Sequence, residues 1–124
     1  ESLRIVDDQI GAPTGAELVA DLSAHLLRSA LTESELQGVY HLAAAGEISW
    51  YGYACFIIDT ARQMGFEVKV STIEPILSSS YRTPAVRPLN SRLDTSRLRN
   101  HFGLYLPHWQ QGVERMLKEL KGRK

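Results

Sequence analysis

Hydrophobic and polar positions change their period several times along the chain, and each change predicts an element. Leu3-Arg4-Ile5-Val6 reads as a short strand running into Asp7-Asp8-Gln9-Ile10-Gly11-Ala12-Pro13, a stretch rich in turn formers. Thr14-Gly15-Ala16-Glu17 has the spacing of a capping box, in which the hydroxyl and the carboxylate each satisfy an orphan backbone N–H. Leu18, Val19, Leu22, His25, Leu26 and Ser29 then follow at helical spacing, so a helix over 14–30 is expected to bury one face. Gly38-Val39-Tyr40-His41-Leu42-Ala43 reads as a strand and Gly46-Glu47 as a turn. Ser49 is placed to cap a helix over 50–64 with Tyr53, Ala54, Ile57 and Ile58 on its apolar face and Gly65 just past its end. Phe66-Glu67-Val68-Lys69-Val70 alternates as a strand does and continues towards Ile73.

From Glu74 to Leu93 the periodicity dissolves. Pro75, Pro84 and Pro88, with serines at 78 to 80, exclude a regular helix or a central strand there. A loop of that length inside a compact domain is usually functional or disordered. Asp94 or Thr95 then caps a short helix ending at Gly103, and Pro107 suits the start of a last helix. Trp109, Val113, Met116, Leu117 and Leu120 form the buried stripe of that helix, whose basic end suits the helix dipole. The expected fold is mixed α/β: a short sheet with about four helices, in one domain spanning residues 1–124.

Composition narrows the classes further. With 44% hydrophobic and 23% charged residues, the 124-residue chain is globular rather than disordered. Lys+Arg and Asp+Glu balance at 14 each, so charge gives no reason to expect nucleic acid or an acidic membrane as partner. The single cysteine, Cys55, cannot form an internal disulfide, and the apolar run Tyr53–Ile58 is too short to span a bilayer. The start, Glu1-Ser2-Leu3-Arg4, has neither an initiator Met nor a signal-peptide pattern, so the chain is expected to be a piece of a longer protein.

The common catalytic signatures are missing. The glycines never make G-x-G-x-x-G or a P-loop, no tyrosine is followed four residues on by lysine, and H-E-x-x-H, C-x-x-C and G-x-S-x-G are absent. His25 falls on an apolar helix face and reads as a core or boundary residue, His41 as a strand residue, and Cys55 as a small core residue. The long loop is more informative. Tyr81 to Asp94 gathers Arg82, Arg87 and Arg92 with an amide and hydroxyls on proline-stiffened backbone. Guanidinium forks suit phosphate oxygens, and a stiff loop loses less entropy on gripping a ligand. Composition leaves two readings open, a solvated surface loop and an anion-binding one.

Several stretches together resemble a known family. Asp7–Thr14, Gly38–Ala43, Ser49-Trp50-Tyr51, Thr83–Asp94 and Leu106–Val113 look, in order and spacing, like the C-terminal portion of the dTDP-4-dehydrorhamnose reductases, a branch of the extended short-chain dehydrogenase/reductases. The resemblance runs from about residue 4 to residue 120. It implies a substrate-binding domain whose NADP-binding Rossmann partner, with its glycine-rich loop and Tyr-x-x-x-Lys pair, is absent from this chain. The implied activity is NADPH-dependent reduction of dTDP-4-dehydro-L-rhamnose to dTDP-L-rhamnose for bacterial surface polysaccharide, in the cytoplasm, with this portion alone inactive.

The resemblance also implies residue roles. Arg87 would meet phosphate, and Asn90 and Ser91 would support the nucleotide or orient the loop, with the division of labour among Arg82, Arg87 and Arg92 open. Gln9 and the Gly11-Ala12-Pro13 turn would lie at the junction with the missing domain, shaping the cleft or packing. Glu17 and Glu119 match positions associated with a magnesium-linked dimer, and carboxylate oxygens suit such a hard cation. A homodimer or self-associating chain is expected, since loss of half a cleft exposes apolar surface. The alternatives are a non-catalytic relative of the kind that regulates methionine adenosyltransferase, and a related sugar-nucleotide epimerase or dehydratase.

Overall fold

The computed structural model describes residues 1–81 and 83–122. Strand β1 (Ser2–Val6) pairs in parallel with β4 (Thr72–Ile76), in a register from Ser2 opposite Thr72 to Val6 opposite Ile76. A second, two-residue ladder joins β2 (Ile10–Gly11) antiparallel to β3 (Ile48–Ser49). Among the described residues four α-helices complete the mixed α/β fold: α1 (Ala16–Thr32), α2 (Trp50–Gln63), α3 (Ser96–Phe102) and α4 (Trp109–Gly122).

Helices α2 and α4 form where the spacing places them, and they meet in the core. Ser49 caps α2, its Oγ accepting the Gly52 N–H at 3.0 Å, and Gly103 ends α3 in the left-handed region at φ 61°. Ala44, Ala61, Trp109, Val113 and Leu117 make the buried cluster, with Tyr53, Phe56 and Ile57 packed against it. Trp109 stands edge-on to Phe56 and Tyr53, at centroid distances of 4.9 and 5.7 Å. Met116 and Leu120, expected in the same stripe, are exposed.

Three expected elements are corrected. Thr14 does not cap α1: the cap is Gly15, so Glu17 falls one position short of the capping-box register. The Thr14 hydroxyl instead donates to the Ala12 carbonyl at 2.9 Å and accepts the N–H of buried Ala44 at 3.0 Å. A buried N–H needs an acceptor, and this tertiary demand outweighs the local one. Residues 38–43 form no strand. Residues 66–70 form none either, although Phe66, Val68 and Val70 alternate in burial with exposed Glu67 and Lys69. The ladder goes to 72–76 instead, and it includes Pro75, which an edge strand tolerates because its outer side needs no N–H.

Helix α1 buries no residue fully, and His25 is exposed rather than part of a core. Leu18 packs against the central cluster, while Leu27 and Leu31 project into solvent. His41 is exposed, and Cys55 is half-buried on α2. The neighbouring Cys55 thiol, one turn on, holds the Tyr51 phenol above its usual pKa, with smaller contributions from desolvation and the charge of Asp7. No helix among the described residues is long and apolar enough to cross a membrane.

Candidate functional site

Parallel pairing puts the C-terminal ends of β1 and β4 side by side, and ligands of α/β folds characteristically bind beyond the carboxyl ends of parallel strands. Here the chain leaves β1 as Asp7-Asp8-Gln9 and leaves β4 as Leu77-Ser78, and between them opens a cleft of about 910 Å³. Trp50, the first residue of α2, stands on one side; Tyr81, Thr83 and Arg87 line the other. Gln9 lines this cleft and an adjoining pocket of about 200 Å³ that reaches Ala12, Pro13 and Ser91. The Gly11-Ala12-Pro13 turn therefore shapes a cavity rather than packing in a core.

Two adjacent carboxylates fasten the walls. Asp7 Oδ1 accepts the Ser49 hydroxyl at 2.5 Å, so the buried Ser49 joins the end of β1 to the start of α2. Asp8 accepts both donors of Ser78, the N–H on Oδ1 at 2.9 Å and the hydroxyl on Oδ2 at 2.8 Å. Sequence reasoning assigned neither aspartate a role. The available signal was a pair of acids directly after a strand together with a serine run elsewhere in the chain.

The arginines divide by partner. Arg92 Nη1 donates to both oxygens of Glu47, at 3.0 and 2.9 Å, so its charge is already matched. Arg87 lines the cleft and has no ion-pair or hydrogen-bond partner among the described residues; Arg4 lines the same cleft. Arg82 lies outside the described residues. Asn90 and Ser91 orient the loop. Asn90 Oδ1 accepts the Arg92 N–H and Nε, at 3.1 and 2.9 Å, and Ser91 donates its N–H to the Ile10 carbonyl at 2.8 Å. Of the two, Ser91 lines the smaller cavity.

Glu17 and Glu119 stand on α1 and α4, and the Arg115 guanidinium feels the charge of both. Arg115 Nε donates to Glu119 Oε1 at 3.1 Å, and that bond, then the charge of Glu17, holds the guanidinium above its usual pKa. No group of three His, Cys, Asp or Glu among the described residues is placed to hold a metal ion. Within one chain Arg115 brings a positive charge to the two glutamates, and no third His, Cys, Asp or Glu joins them as a ligand among the described residues.

Residues 1–122 match the model of the RmlD substrate binding domain family. The chain is 47% identical over 120 residues to a dTDP-4-dehydrorhamnose reductase of Escherichia coli K12, covering 97% of this chain and 40% of that protein. It is 40% identical over 126 residues to one from Burkholderia thailandensis, covering 97% of this chain and 42% of that protein. The chain thus spans about 40% of the length of the curated relatives it matches. Among solved structures it superposes on a dTDP-4-dehydrorhamnose reductase from Bacillus anthracis, crystallised with NADP, at a TM-score of 0.74 and 33% identity, over 96% of this chain and 38% of that one.

Proposed function

Because the chain belongs to the RmlD substrate binding domain family, we propose that it is the substrate-gripping part of an NADPH-dependent dTDP-4-dehydrorhamnose reductase. Reduction of a C4 ketone needs a hydride donor and a proton donor held against one carbon. This chain carries neither a dinucleotide loop nor a Tyr-x-x-x-Lys pair, so the reading assigns both to another part of a longer, cytoplasmic protein. What its own residues supply is position. They hold the dTDP-sugar by its diphosphate and ring faces, and fixing a substrate against its reactants is a large share of catalysis. Magnesium has no part in this reading.

The observation that carries the proposal is the contrast between Arg92, paired with Glu47, and Arg87, which lines the cleft unpaired among the described residues. A diphosphate is the kind of anion a free guanidinium fork meets bidentately. Calorimetric titration of the chain with dTDP tests it. Binding is expected, and Arg87→Ala weakens it about tenfold or more, the scale of a hydrogen bond to a charged group. Arg28→Ala, on the exposed side of α1, leaves it unchanged. Absence of binding by the parent chain, or equal affinity in Arg87→Ala, refutes the assignment.

A further inference from the structure

The segment that carries Arg87 is tied to the rest of the fold at its two ends. At one end Ser78 places both its donors on the Asp8 carboxylate. At the other, Ile10 donates to the Leu89 carbonyl and accepts the Ser91 N–H, each at 2.8 Å. Asp8 and Ile10 are two residues apart, so the anchors lie within about 7 Å of each other along the chain. Between them the hydrogen bonds of the described residues are local: Ser80 to Leu77, Tyr81 to Ser78, and Thr83 to Ala85. A surface loop of this length with adjacent ends is an Ω-loop, and with only local bonds inside it, its two anchors are what tie it to the rest of the fold.

We propose that Asp8 is a positioning residue for phosphate recognition: its carboxylate fixes the point at which the loop leaves β4, and thereby where Arg87 stands over the cleft. This rests on the reading of the cleft as a dTDP-sugar site. The chemistry of the group matters. An ionised carboxylate accepts both Ser78 donors in charge-assisted bonds, whereas an amide in its place offers one acceptor and no charge, and its NH2 forces the Ser78 hydroxyl to turn and accept. The anchor at Ile10 is made by backbone alone, so the Asp8–Ser78 pair is the side-chain contact through which a substitution can release an end of the loop while Arg87 itself is kept.

The test is a double-mutant cycle read by calorimetric titration of the chain with dTDP, using Asp8→Asn, Ser78→Ala, Arg87→Ala and Asp8→Asn/Arg87→Ala. Asp8→Asn and Ser78→Ala are each expected to weaken binding roughly 5- to 20-fold, on the scale of a lost hydrogen bond to a charged group. The double variant is expected to bind no more weakly than Arg87→Ala alone, within about twofold, because residues acting through one another are not additive. Losses that multiply in the double variant, or parent-like affinity in Asp8→Asn, overturn the proposal while leaving the cleft assignment intact. Failure of the parent chain to bind dTDP overturns both. Should Asp8→Asn not fold, judged by circular dichroism, Ser78→Ala takes its place in the cycle with the same two outcomes.

Discussion

Trp109→Ala is the most direct probe of what holds the site in shape. Trp109 is 4% exposed and joins α4 to α2 through edge-to-face contacts with Phe56 and Tyr53. Truncating a buried tryptophan costs about 3–5 kcal/mol, from lost burial and the cavity left behind. The two ring pairs place this case in the upper half of that range, since each adds about 0.5–1.5 kcal/mol beyond area. The Trp109 N–H bond to the Ala45 carbonyl is backbone and survives. Domains of this size have about 5–15 kcal/mol of stability, so the variant either keeps a weakened fold or sits at its edge. With a urea slope of about 2 kcal/mol per molar, a loss of about 4 kcal/mol lowers the midpoint by roughly 2 M. Circular dichroism is the right signal, because the other tryptophan, Trp50, lies 53% exposed in the cleft and would dominate the remaining emission. Trp50→Ala is the control, with an expected loss under about 1 kcal/mol. Equal midpoint shifts for the two variants would refute this account of the core.

Two further outcomes follow from the structure. Hydrogen bonds from the Ser96 hydroxyl and N–H hold the Asp94 carboxyl below its usual pKa at the start of α3. A depressed folded-state pKa stabilises above the unfolded value and is lost as pH falls through the folded one, so the melting-temperature gap between parent and Asp94→Ala is expected to be constant above about pH 4.5 and to close below it; a gap that widens on acidification contradicts this. Leu27, Leu31 and Val39, the last two 78% and 77% exposed, leave apolar surface around the end of α1, so self-association is expected in sedimentation at high concentration, and a monomer throughout contradicts it.

The residues also show what local pattern is able to specify. The extents of α2, α3 and α4, the Ser49 cap and the Gly103 stop were legible because each depends on neighbours a few residues away. The alternation in 66–70 correctly separates inward from outward side chains, yet it predicts a strand that does not form. Alternation reports which face is buried; a ladder needs a second strand at hydrogen-bonding distance, and β1 finds that partner at 72–76. Thr14 failed as a cap for the same kind of reason, since its hydroxyl answers Ala44, thirty residues away.

The candidate site divides along the same line. The chain by itself determined that a proline-stiffened, arginine-bearing loop exists and that dinucleotide and metalloprotease motifs do not, because both are properties of residue type and spacing. Only the tertiary structure decided that Arg92 is neutralised by Glu47 while Arg87 faces the cleft, and that Arg115 stands beside Glu119 and Glu17 where a metal was expected. Charge is written in the sequence; its partner is fixed by which distant elements the fold brings within a few ångströms, and that proximity decides which charges remain free to meet a ligand.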